Sequence, residues 1–99
     1  GDLAGAEASL RAALGIDPDD ADGHFALGLL LKQRGDLAGA RESFGAALRA
    51  EPRCADVHFS LGEALAGQGD LRSAAESFRA ALRVDPQRAD ALFALGLAL

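Results

Sequence analysis

Residues 21–54, ADGHFALGLLLKQRGDLAGARESFGAALRAEPRC, run directly into residues 55–88, ADVHFSLGEALAGQGDLRSAAESFRAALRVDPQR, and 19 of the 34 paired positions are identical. Two consecutive blocks so alike in so short a chain mark an array of repeated units. The register extends outward in both directions. Gly-Asp-Leu occurs at residues 1–3, 35–37 and 69–71, and Pro18, Pro52 and Pro86 keep the same spacing of 34. Within a single domain, residues 1–20 read as a trailing half-repeat, 21–54 and 55–88 as full repeats, and 89–99 as the first helix of a further repeat.

Inside each block the apolar spacing is helical. Leu27, Leu30 and Leu31, then Leu37, Ala40, Phe44, Ala47 and Leu48, recur at intervals of three and four, and no period-two alternation supports a strand. The breaks carry their own stop signals: Gly35 suits a left-handed C-cap, and the Asp36 carboxylate can cap the next helix. Pro52 disfavours helical backbone at Glu51, so the preceding helix ends there. Ala55-Asp56 then opens another helix with an acid near its positive end. Six helices are expected, over about 2–15, 21–33, 37–50, 55–67, 71–84 and 89–99. A pair of such helices cannot bury both of its apolar sides alone, so neighbouring pairs must stack. The predicted fold is all-α, a right-handed α-solenoid of antiparallel helix pairs. Gly28, Gly62 and Gly96, each mid-helix, cost about 1 kcal/mol relative to alanine, which points to close approach of a neighbouring helix.

Composition narrows the function classes. Fifteen acidic against ten basic residues give a net charge of -5 and a pI near 4.8, which repels nucleic-acid backbones and anionic lipid. Neither nucleic acid nor membrane is an expected partner. A single cysteine, Cys54, cannot close an internal disulfide, so no oxidising compartment is required. Cytoplasm is the default location, with periplasm left open. The chain begins at Gly1 without a methionine or a targeting leader, as a slice of a longer array would.

Leu27-Gly28, Leu31, Gly35-Asp36, Ala40, Phe44, Ala47 and Pro52 return as Leu61-Gly62, Leu65, Gly69-Asp70, Ala74, Phe78, Ala81 and Pro86. This pattern, across essentially the whole chain, closely resembles the tetratricopeptide repeat signature. Departures are mild: His24, His58 and Leu92 stand where that family often has tryptophan, and Leu31, Leu65 and Leu99 where it often has tyrosine. The resemblance implies that the first helix of each repeat lines a concave groove. Groove positions would then be Asp22, Phe25, Leu29 and Lys32; Asp56, Phe59, Glu63 and Ala66; and Asp90, Phe93 and Leu97. Phe25, Phe59 and Phe93 would form a ladder of rings beside Leu29 and Leu97, bordered by acids. Such a surface suits an apolar partner with some positive charge, as a peptide or an amphipathic helix. Aromatic stripes at helical spacing are more often core than site, so the alternative is that these rings mainly pack against the adjacent first helices and serve the solenoid itself. The family's two-carboxylate clamp for chaperone tails is disfavoured, because Phe25, Leu29, Ser60 and Asp90 stand where its lysine, arginine and asparagine belong. Its asparagine ladder is absent too, with Ala26, Ser60 and Ala94 in those places.

Chemistry of other kinds finds little footing. His24 and His58 lie one repeat apart on helices whose axes should be about 8–10 Å apart, whereas zinc needs three or four converging ligands, so the histidines read as packing residues. Cys54 and His58 are four residues apart near a helix start, but a nucleophilic pair also needs an orienting group and an oxyanion site. Asp22, Asp56 and Asp90 act either as groove acids or simply as favourable first-turn charges. Gly35 and Gly69 end helices and lack the lysine and hydroxyl of a phosphate loop. No cofactor, metal or catalytic site is expected, and the chain reads as a non-enzyme.

Three functions fit such a chain. The first is a protein-interaction scaffold that binds a peptide or helix in the groove. The second is a substrate-recruiting segment of a larger glycosyltransferase- or methyltransferase-type enzyme, since the Ala-Asp-x-His-Phe openings at Ala21 and Ala55 are similar to bacterial arrays in such fusions. The third is plain structural assembly or spacing. Apolar residues at both ends, Leu3, Leu10 and Leu14 against Leu92, Leu95 and Leu99, add an expectation of end-to-end self-association.

Overall fold

In a computed structural model that describes residues 2–99, the chain forms α1 (Leu3–Ile16), α2 (Ala21–Gln33), α3 (Leu37–Ala50), α4 (Ala55–Gly67), α5 (Leu71–Val84) and α6 (Ala89–Ala98). Helix α1 starts one residue later than expected because the Asp2 carboxylate is spent as its cap, accepting from Gly5 N at 2.9 Å. Gly1, the first residue of the Gly-Asp-Leu motif, lies outside the described residues.

Two kinds of turn alternate. At the glycine turn, Gly35 has φ +86° and Gly69 φ +83°, values a side chain rarely tolerates. Asp36 N then donates to Leu31 O at 2.8 Å and Gly35 N to Lys32 O at 3.0 Å, the paired bonds of a Schellman cap. Asp36 immediately caps α3 by accepting from Gly39 N, and Asp70 caps α5 by accepting from Ser73 N. At the proline turn the helices are capped by Asp17, Glu51 and Asp85, whose ψ of 88°, 90° and 92° has left the helical region, as a following proline demands.

The histidines do more than fill the place of an aromatic ring. His24 Nε2–H donates to Pro18 O at 2.7 Å and His58 Nε2–H to Pro52 O at 2.9 Å, tying each proline turn to the helix it precedes. A carbonyl can only accept, so Nε2 carries the proton in both rings.

Each helix packs on the next in the chain, α2 also touches α4 directly, and Arg88 at the start of α6 bonds Asp56 on α4, which sets α2, α4 and α6 on one side and α3 and α5 on the other. The result is an α-solenoid of 38 × 24 × 20 Å. Its core is repeated with the sequence. Phe44 is fully buried with Leu27, Leu31, Ala40 and Ala47 around it, and Phe78 sits with Leu65 and Ala74 one unit on. Gly28 and Gly62 make room for those rings: a Cβ would lie 2.5 Å from Phe44 Cε1 at the first and 2.4 Å from Phe78 Cε1 at the second.

Gly96 departs from the expectation of close approach. No neighbouring atom lies within 4 Å of its Cβ position, because no helix among the described residues occupies that side of α6. Leu92 and Leu99 are exposed there for the same reason. Helix α1 buries no residue completely, although Leu10 and Leu14 pack against the first core.

Candidate functional site

The face shared by α2, α4 and α6 is built by the repeat itself. Residues three and four apart fall on one side of a helix, so Asp22, Phe25, Leu29 and Lys32 share a face of α2, as do Asp56, Phe59 and Glu63 on α4 and Asp90, Phe93 and Leu97 on α6. Two cross-helix ion pairs join these surfaces. Lys32 Nζ on α2 donates to Glu63 Oε1 on α4 at 2.5 Å, and Arg88, just before α6, donates from Nη1 to Asp56 Oδ1 on α4 at 2.5 Å.

The aromatic residues divide into two kinds. Phe25 is half-buried with its ring centroid 6.0 Å from that of Phe44, and Phe59 is half-buried 5.7 Å from Phe78, both pairs tilted. These rings lean on the second helix of their own pair and hold it. Among the described residues no second helix of its own pair stands beside Phe93, which is 71% exposed. Leu29 is 40% exposed although α2 is packed by α1, α3 and α4. Leu97, its counterpart on α6, is exposed as well. Beside it, Glu63, Ala66, Leu71, Phe78, Ala94 and Leu97 line a mostly apolar hollow of about 300 Å³. In the preceding unit Leu37, the counterpart of Leu71, packs against the end of α4, its Cδ1 2.8 Å from the Cβ position of Gly67.

The charged border is more occupied than its composition suggests. Arg88 is the residue missing from the sequence-based groove. Its Nε donates to Asp90 Oδ1 at 2.9 Å, its Nη1 to Asp56, and its guanidinium carbon lies 5.0 Å from the centroid of Phe59. Hydrogen bonding to Asp90 raises the Arg88 pKa further, against a smaller effect of burial. The same bond is the main cause holding the Asp90 carboxyl below its usual range. The signal that could have found Arg88 is the offset of 34: Asp20 and Cys54 hold its place in the other units, each two residues before a groove aspartate. Among the described residues Asp22 has no ion-pair partner.

Elsewhere, Glu7 pairs with Arg11 and Arg34, which ties α1 to the end of α2. His58 bonds to Pro52 rather than to Cys54, and among the described residues no three His, Cys, Asp or Glu side chains gather as a metal site. No helix among them is long and apolar enough to cross a membrane.

Family models of the tetratricopeptide repeat match residues 1–44 and 25–71, and a second such model matches residues 55–88. No curated relative matches the chain significantly. Among solved structures, the protein MamA is 26% identical and superimposes with a TM-score of 0.96 over 99% of this chain and 57% of its own. An O-GlcNAc transferase from Thermobaculum terrenum is 29% identical, with a TM-score of 0.89 over all of this chain and 19% of its own. YrrB, described as a TPR protein with an unusual peptide-binding site, is 26% identical, with a TM-score of 0.87 over 93% of this chain and 47% of its own. The chain thus spans little more than half the length of MamA and less of the other two.

Proposed function

Because the chain belongs to the tetratricopeptide repeat family, we propose that it is a non-catalytic scaffold holding a peptide or amphipathic helix of a partner protein against the concave face of α2, α4 and α6. The observation that carries this reading is Leu29. An exposed leucine beside a half-buried ring, on a helix already packed by three others, is apolar surface that the solenoid does not need for itself. Phe93 and Leu97 add exposed apolar groups on α6, and Asp22, which has no ion-pair partner among the described residues, favours a partner with positive charge. The similarity to YrrB supports a peptide as the partner.

The test is a peptide selected against the 99-residue chain from a random library. Leu29→Ser combined with Phe93→Ser should weaken its binding by about 5- to 30-fold, the usual cost of losing one anchor or more. Neither leucine nor ring is enclosed, so folding should survive, as far-ultraviolet circular dichroism would show. Equal affinity for the double variant and for Arg79→Ser on the outer helix α5 would sink the reading.

The similarity to the O-GlcNAc transferase favours a second reading, in which this segment presents substrates to a catalytic domain of a longer protein. A further proposal concerns the ends. On α1, Ala6, Ser9, Leu10 and Ala13 hold the positions at which α3 buries Ala40, Ser43, Phe44 and Ala47, yet none of the four is buried. On α6, Leu92, Gly96 and Leu99 have no covering helix among the described residues, unlike their counterparts on α4. Packing α1 of one copy on α6 of another would continue the array.

A further inference from the structure

We propose that Phe25, Asp22 and Asp56 form a guanidinium site, filled by an arginine side chain of the bound partner segment; this rests on the peptide-binding reading and names the chemistry its partner must bring. In the neighbouring unit the chain fills the equivalent site with its own residue. There the Arg88 guanidinium lies over the Phe59 ring at 5.0 Å and donates to an aspartate on each side, Asp56 and Asp90. Ring and paired carboxylates together suit a planar cation that stacks on one group and forks to the others.

One repeat earlier every element of that arrangement returns except the arginine. Phe25 replaces Phe59, Asp22 replaces Asp56, Asp56 replaces Asp90, and Cys54 stands where Arg88 would be. A cysteine side chain ends one atom beyond Cβ. It carries no guanidinium to lay over Phe25 and cannot reach either aspartate as arginine does. Cys54 instead packs half-buried against the first core. Asp22 is exposed and has no ion-pair partner among the described residues. Asp56 gives Oδ1 to Arg88 but is 66% exposed, and a carboxylate has capacity for a second donor at its other oxygen. The chain thus displays the occupied form of the site at Phe59 and leaves the form at Phe25 for an arginine from outside. Lysine would be a poorer fit, since it offers a point charge without the planar fork.

The test titrates n-butylguanidinium into the ¹⁵N-labelled 99-residue chain at low ionic strength, with n-butylammonium in parallel. The guanidinium should give saturable amide shifts at Asp22, Phe25 and Asp56, with an affinity about tenfold above that of the ammonium. Cys54→Arg, which supplies the cation internally, should abolish those shifts, and Asp22→Asn, a change of an exposed side chain, should weaken them about tenfold. Absence of saturation, equal response to both cations, or undiminished shifts in Asp22→Asn would overturn the proposal. A selected arginine-bearing peptide separates this from the broader reading. Unchanged affinity on replacing its arginine by citrulline defeats the guanidinium site and leaves the groove standing, whereas saturation by butylguanidinium with no peptide bound at this face defeats the groove reading alone.

Discussion

An added Cβ at Gly62 would meet the ring of Phe78, which is 3% exposed and packed with Leu65 and Ala74, so it cannot swing away as a flexible side chain could. Gly62→Ala should therefore lose about 1–2 kcal/mol in urea unfolding through overpacking, despite a helix-propensity gain of about 1 kcal/mol. Gly96→Ala meets nothing and should gain up to about 1 kcal/mol, so one substitution is expected to change sign between repeats. The requirement for glycine was legible in the recurrence of Leu-Gly at 27–28, 61–62 and 95–96, but only the packing tells which of the three is used. Arg88 was not legible as a partner of the groove, because its position is variable between units and its role depends on two aspartates brought together by stacking. Its bond to Asp90 has a consequence for pH. A carboxyl held below its ordinary value of about 3.9 adds stability above that value and loses it as pH falls through the lowered one. In Arg88→Ala the Asp90 titration, followed by its carboxyl carbon shift, should move up towards the ordinary value. An unchanged midpoint would show that the bridge does not hold in solution.

Each element is delimited by local chemistry, which is why the six helices were readable nearly to the residue. Gly35 and Gly69 take the left-handed backbone, Asp36 and Asp70 cap α3 and α5, and Pro18, Pro52 and Pro86 forbid continuation. Asp36→Ala should cost about 0.5–2 kcal/mol by leaving Gly39 N without its acceptor, whereas Asp36→Asn should cost little, since asparagine caps equally well. The histidine tethers escaped the sequence reading because the turn carbonyl they serve, six residues earlier, is presented only by the folded proline turn. Elements also differ in how much they bury. Helix α1 has no fully buried residue and α6 has only Ala91, against five each in α4 and α5. Amide hydrogen exchange should accordingly be fastest in α1 and α6 and slowest in α3 to α5.

At the scale of the whole molecule, stacking in register turns a repeated sequence into a continuous surface. The stacking was legible from the offset of 34, whereas the division of labour among the phenylalanines was not. Phe25 and Phe59 are partly committed to Phe44 and Phe78, so the freest apolar groups on the face are Leu29, Phe93 and Leu97. The uncovered ends predict a concentration-dependent sedimentation coefficient that Leu99→Asp suppresses, because a charge would then lie where the next helix must pack. A chain that sediments as one unchanging species at high concentration would contradict end-to-end association without touching the groove. The groove is tested most directly by a selected peptide carrying a spin label, with paramagnetic broadening read across the ¹⁵N spectrum of the chain. Broadening is expected at Phe25, Leu29, Phe59 and Phe93, on the layer of α2, α4 and α6. Broadening centred instead on Glu42 and Arg79 of the outer helices would contradict a groove on that layer.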